Sequence, residues 1–189
     1  MPIPLGILAT AGAAGGGGAS YELIATTILN GNATDVTFSS IPSDYAHLQL
    51  RIVAKNAISY SNSIRSGYLT FNGDTATNYN WHHLYGQGSS MSSIAYTNQN
   101  YVAIQDFIPD TLSLSNIFGG AIIDILDYKN TNKFKTVRYI AGARLTTSSN
   151  VIGQGTGNWR STNAITSLNM NFSNNFVAGS RFSLYGIKG

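Results

Sequence analysis

The run His47-Leu48-Gln49-Leu50-Arg51-Ile52 alternates apolar and polar side chains without a break. Successive side chains of a strand point to opposite faces, so Leu48, Leu50 and Ile52 share one face while His47, Gln49 and Arg51 share the other. That is the pattern of an antiparallel strand with one buried face. Runs of similar character recur at 21–29, 36–41, 68–71, 101–107, 121–126, 134–141, 165–172 and 181–187. Between them lie Asn30-Gly31-Asn32, Asn72-Gly73-Asp74, Lys129-Asn130-Thr131-Asn132, Gly153–Gly157 and Asn174-Asn175. Residues of these types tolerate positive φ or hydrogen-bond their own backbone, so the segments are expected as turns. No segment keeps a helical period over a dozen residues; at most a single turn is expected at 89–93 or 113–118. The pattern predicts an all-β fold, a two-sheet antiparallel sandwich of the jelly-roll kind over residues 20–189. Two stretches, 75–99 and 146–162, are longer than a hairpin connection and are expected as the long loops on which a sandwich usually carries function.

Residues 1–19 depart from this pattern. Pro2 and Pro4 oppose an early helix, Ile3, Pro4, Leu5, Ile7 and Leu8 make an apolar tip, and an Ala/Gly tract follows as far as Gly18. The prediction is an extended arm, with Ile3, Pro4, Leu5, Ile7 and Leu8 anchoring it in a partner subunit and the glycines acting as tether. A secretory leader is the rival reading, with Ala9-Thr10-Ala11 in the place of a cleavage site. Against it, no basic side chain precedes the apolar part, which proline and glycine interrupt.

Composition narrows the function classes. Apolar residues make up 43% of the chain and charged residues only 10%, while Ser, Thr and Asn together account for about 30%. The even spread of Tyr, Phe, Ile and Leu excludes a disordered chain. The formal charge of +3 reflects scarce acids, with Glu22 the sole glutamate, and the 11 Lys and Arg form no stripe, so nucleic acid is not an expected partner. Without cysteine, disulfides, thiol catalysis and Cys-ligated zinc are excluded. No apolar stretch of about 18 residues is present, so no membrane-spanning helix is expected.

Candidate chemistry is sparse. Asn80-Trp81-His82-His83-Leu84-Tyr85 brings two imidazoles together, but neighbours in a strand face opposite ways and would not chelate one metal. No metal site and no cofactor is expected. No Gly-x-Ser-x-Gly elbow accompanies the serines. Glycoside hydrolysis normally needs two carboxylates, and the few acids sit mostly in turns. Asp124 and Asp127, within or just after an apolar strand, are the exceptions and are read as edge or turn positions. Gly153-Gln154-Gly155-Thr156-Gly157 lacks the Lys-Ser/Thr of a phosphate loop and reads as a long turn. No catalytic residue is assigned, and an enzyme is not expected. Binding is better supported: Tyr79, Trp81, Tyr85 and Trp159, read as loop aromatics beside amide side chains, combine an apolar face with a polar handle. They are the candidates for glycan contact or a subunit interface.

The chain resembles a family of bacteriophage virion proteins common among phages of marine and cyanobacterial hosts. The resemblance is carried by Met1-Pro2-Ile3-Pro4-Leu5-Gly6-Ile7-Leu8 with its Ala/Gly tract and by Ser20-Tyr21-Glu22-Leu23-Ile24-Ala25-Thr26-Thr27. It continues through Val36-Thr37-Phe38-Ser39-Ser40-Ile41-Pro42, His47-Leu48-Gln49-Leu50-Arg51, Phe71-Asn72-Gly73-Asp74 with Asn78-Tyr79, and the closing Phe182-Ser183-Leu184-Tyr185-Gly186-Ile187-Lys188. Residues 88–163 add little to it. The resemblance implies a virion-located structural protein, tail-fibre-like or head-decoration-like, whose partners are capsid, neck or tail subunits. It implies attachment through the N-terminal arm and display of a β-sandwich domain, and by analogy a homo-oligomer such as a trimer. Host surface glycans are the further expected partner, and no catalytic residues come with the match.

Overall fold

The computed structural model describes residues 20–58, 64–110, 116–144 and 150–189. In β3 (His47–Ala54) the alternation is realised as expected: Leu48, Leu50 and Ile52 are buried, and Arg51 and Val53 are exposed. The other elements are β1 (Tyr21–Ile28), β2 (Ala33–Phe38), β4 (Ile64–Phe71), β5 (Tyr79–Gln87), β6 (Ser90–Gln99) and β7 (Val102–Pro109). They are followed by β8 (Gly119–Leu126), β9 (Lys135–Arg144), β10 (Asn150–Trp159), β11 (Leu168–Phe176) and β12 (Arg181–Ile187). No helix occurs among the described residues.

The strands form two antiparallel sheets, one in the order β1-β12-β3-β8-β9-β10-β5-β6 and the other β2-β11-β4-β7. The first four strands of the larger sheet together with the smaller sheet give the interleaved order of an eight-stranded jelly roll. The remaining four are insertions: β5 and β6 between β4 and β7, and β9 and β10 between β8 and β11. They extend one sheet beyond the roll. Leu48, Leu50, Ile123, Ile125, Val137 and Leu184 of the larger sheet share one buried core with Val36, Phe38, Leu69, Phe71 and Met170 of the smaller.

All nine strands expected from periodicity are present, and three more lie where loops or turns were expected. Segment 75–99 holds the hairpin β5–β6, closed by a two-residue Gly88-Ser89 turn, and the expected single turn at 89–93 is mostly β6 strand. Segment 146–162 contains β10, paired on one side with β9 and on the other with β5. Gly153–Gly157 therefore runs through the middle of a central strand. Its three glycines leave the core-facing side of β10 bare at their positions, and His83 of β5, Tyr139 of β9 and Val102 of β7 fill the space.

Candidate functional site

The arm residues Ile3, Pro4, Leu5, Ile7 and Leu8 lie outside the described residues. The four candidate aromatics divide into two pairs, and none is in a loop. Tyr79 opens β5 and Trp159 ends β10, and both are interior, at 0% and 2% exposure. Their rings stack at 6.3 Å and an angle of 17°, with Phe71 packed against both. Trp159 Nε1 donates to Asp74 Oδ2 at 2.7 Å, and the Tyr79 hydroxyl donates to the Asp74 carbonyl at 3.0 Å while accepting from the Phe71 amide at 3.1 Å. Burial pushes the Tyr79 phenol well above its ordinary value. Sealed rings of this kind build the core and present no face to a ligand, which corrects the loop reading for Tyr79 and Trp159.

Trp81 and Tyr85 sit further along β5, on its core-facing side, where the larger sheet overhangs the edge of the smaller one. Here the two sheets part to leave a cleft of about 480 Å³. One wall is the overhang, with Trp81, Tyr85, Ile94 and Tyr96; the other comes from Tyr68 of β4, Ala103 of β7 and Tyr101 just before β7. Each wall carries an aromatic pair, Trp81 with Tyr96 at 4.6 Å and Tyr68 with Tyr101 at 4.4 Å between centroids. Gln99, Gln105 and Asp106 add the polar groups. Ser66 Oγ donates to Gln105 Oε1 at 2.5 Å, which fixes that carboxamide. Trp81 Nε1 is buried without a hydrogen-bond partner, a donor whose desolvation is left uncompensated.

Asp106 is held from behind. Its backbone has φ 61°, uncommon for a residue with a side chain, at the place where the β4–β7 pairing slips between Arg65 and Gly67. His83 Nε2 lies 2.7 Å from Asp106 Oδ2 and Nδ1 lies 3.0 Å from the Tyr139 hydroxyl. The network is satisfied when Nε2 carries the proton and donates to the carboxylate, so that Nδ1 accepts from the phenol. The Gln105 amide also donates to the Tyr139 oxygen, at 3.3 Å. Burial, opposed by that amide bond and assisted by the nearby Asp106, raises the Tyr139 phenol far above its ordinary value and keeps it protonated. His83 itself is 2% exposed, its ring parallel to Tyr85 at 5.5 Å and to Tyr139 at 6.2 Å.

The bare face of β10 makes this possible. A Cβ on Gly153 would fall 2.6 Å from His83 Cε1, and one on Gly155 would fall 2.6 Å from the Tyr139 ring and its hydroxyl. Both distances are shorter than any tolerable contact, so the Tyr139–His83–Asp106 chain requires glycine at 153 and 155.

The histidine neighbours separate as strand geometry requires: His82 is exposed and His83 buried. No group of three or more His, Cys, Asp or Glu among the described residues is placed to hold a metal ion. Asp124 lies on the outer face of β8, taking Gln49 Nε2 at 2.8 Å and Arg138 Nε at 2.9 Å. It is therefore in a central strand rather than at an edge. Asp127 is in the turn after β8, at φ 49°, bonded to Lys133. Neither faces the cleft, where Asp106 is the lone acid among the lining residues.

Tyr68, Tyr101, Gln105 and Asp106 were not distinguishable from strand residues by periodicity. Two signals did point to the site: an acid inside the apolar run 101–107, and glycine at every second position from Gly153 to Gly157. No family model, curated protein or solved structure matches the chain.

Proposed function

We propose that the chain is a non-enzymatic structural component of a bacteriophage virion, attached to other virion proteins by its N-terminal arm and displaying the jelly roll. The reading rests on the resemblance together with one observation. The chain leaves residue 19 at Ser20, whose carbonyl accepts from the Lys188 amide at 3.0 Å beside β1, one edge of the larger sheet. The cleft lies at the opposite edge, seven strand spacings away, or about 34 Å along the sheet. An uncharged N-terminal sequence that joins the fold at one edge and a formed cleft at the other suit a subunit that anchors and displays. Deleting residues 1–18 tests this. The shortened domain is expected to stay folded and to be lost from particles.

A second reading concerns what is displayed, and the cleft favours it: recognition of host surface glycans. Aromatic faces stack on the C–H faces of sugar rings, and amide and carboxylate groups bond their hydroxyls. A single acid in the cleft, already bonded to His83, suits binding better than hydrolysis, which would call for two. On a panel of host polysaccharides we expect Tyr101→Ala to weaken binding at least about tenfold, the loss of one well-placed contact of about 1.4 kcal/mol. Equal binding by both proteins would place the ligand elsewhere.

A further inference from the structure

A sheet edge presents unpaired backbone N–H and C=O groups, and folded proteins defend such edges with charge, proline, bulges, shortness or cover. Three of the four edges here are defended. β1 carries Glu22, bonded to Lys188 Nζ at 2.7 Å, and a bulge between Leu23 and Ala25. β2 has six residues and includes Asp35. β7 is kinked at Asp106, ends in Pro109 and packs against β9 and β10 of the larger sheet.

β6 is different. Its ten residues, SMSSIAYTNQ, contain no charge, no proline and no glycine, and all but Gln99 are exposed. Met91, Ile94 and Tyr96 show 72%, 41% and 43% of their surface. Pairing with β5 is regular from Ser90 to Tyr96 and breaks only beyond, between Tyr79 and Trp81 of the partner strand. The two-residue turn makes Gln87 and Ser90 a hydrogen-bonded pair, and hydrogen-bonded and non-bonded pairs alternate along an antiparallel ladder. The N–H and C=O groups of Met91, Ser93 and Ala95 therefore point away from β5, with no strand beyond them among the described residues.

We propose that this edge pairs with the β6 edge of a second copy of the chain, antiparallel, about a two-fold axis at Ser93. The regular segment Ser90–Tyr96 is centred on Ser93, so pairing about it uses the whole regularly paired length. Ser93 then faces Ser93, Met91 faces Ala95, Ser92 faces Ile94 and Ser90 faces Tyr96, with no like charges opposed. Three hydrogen-bonded pairs of two bonds each form, and the two larger sheets become one. On the outer face, Ile152 and Met91 stand in one cross-strand row through Gly86, so an exposed apolar row already runs to this edge and would continue into the partner. On the inner face, Ile94 and Tyr96 bring the cleft wall of one copy up to that of the other. Such a contact is self-complementary and closes on a dimer. A trimer of the kind the resemblance implies would need a different surface. The pairing stands whether or not the cleft binds glycan.

The absence of cysteine makes the test clean. In a hydrogen-bonded antiparallel pair the facing Cα atoms are about 5.5 Å apart, within disulfide range. Ser93→Cys, as the sole cysteine, is expected to oxidise to a covalent dimer, whereas Ile28→Cys on the β1 edge should give no covalent dimer under the same conditions. Light scattering of the unmodified chain should give twice 20.2 kDa. Ser93→Lys, placing two cations opposite each other, should halve that mass while leaving the circular dichroism spectrum unchanged. A wild-type mass of one chain, a mass of three chains untouched by Ser93→Lys, or equal crosslinking through Ser93→Cys and Ile28→Cys would overturn the proposal.

Discussion

Gly155 contributes to the site by having no side chain. Tyr139 from β9 and His83 from β5 flank it in the ladder, and the Tyr139 ring leans over it into the volume a methyl group would take. Gly155→Ala must push a ring held by hydrogen bonds to His83 and to the Gln105 amide. We expect a loss of about 1–3 kcal/mol in stability from overpacking, read by denaturant unfolding. The damage should reach the cleft, because the same ring supports His83 and through it Asp106. This part of the site was partly legible: His83 could be placed on the face opposite His82 from strand geometry alone. What could not be read was that Asp106 and Tyr139, 23 and 56 positions away, converge on it. That depends on sheet order and on the slipped pairing of β7, neither of which leaves a mark in local periodicity.

Among the elements, β5 and β6 carry one wall of the cleft and β10 lies behind it, and these are the three whose sequence does not read as strand. Glycine is depleted from strands because it packs nothing and loses backbone freedom, so a run with three glycines reads as a turn. β6 is exposed on both faces and lacks the alternation that one buried face imposes on β3. The jelly-roll strands each bury one side in the common core, and their periodicity shows it. Asp74, in the turn between β4 and β5, bonds to Trp159 of the inserted β10. Burial raises the Asp74 carboxyl, but hydrogen bonds from Asn78, Trp159 and the Ala76 amide outweigh it and leave the group below its ordinary value. A carboxyl depressed in the folded state adds stability that is fully present above its unfolded value, about 3.9, and is lost as pH falls through the lower folded value. Stability should therefore decline below about pH 4. Asp74→Asn should lower stability at neutral pH by about 1 kcal/mol and reduce that acid-dependent decline, as followed by thermal unfolding across pH.

For the whole molecule, the defining relation is between two edges of one eight-stranded sheet. The N-terminal segment enters at β1, and the aromatic cleft and the undefended β6 strand lie at the far side. Paired through β6, two copies would place their clefts side by side in the middle and their β1 strands at the outer ends. A low charge content fits this arrangement, since neutral faces pack against other subunits at little desolvation cost. The architecture was legible from the spacing of strands; the distance between β1, where the described chain begins, and the cleft was not, because it arises from the insertion of four strands on one side of the roll. Attachment of this domain to a virion by residues 1–18, as proposed, is read from copies per particle. Quantified by mass spectrometry of purified particles, the full chain should be present in fixed stoichiometry and the chain lacking residues 1–18 should be absent despite being folded. Equal copy numbers of the two would contradict the claim.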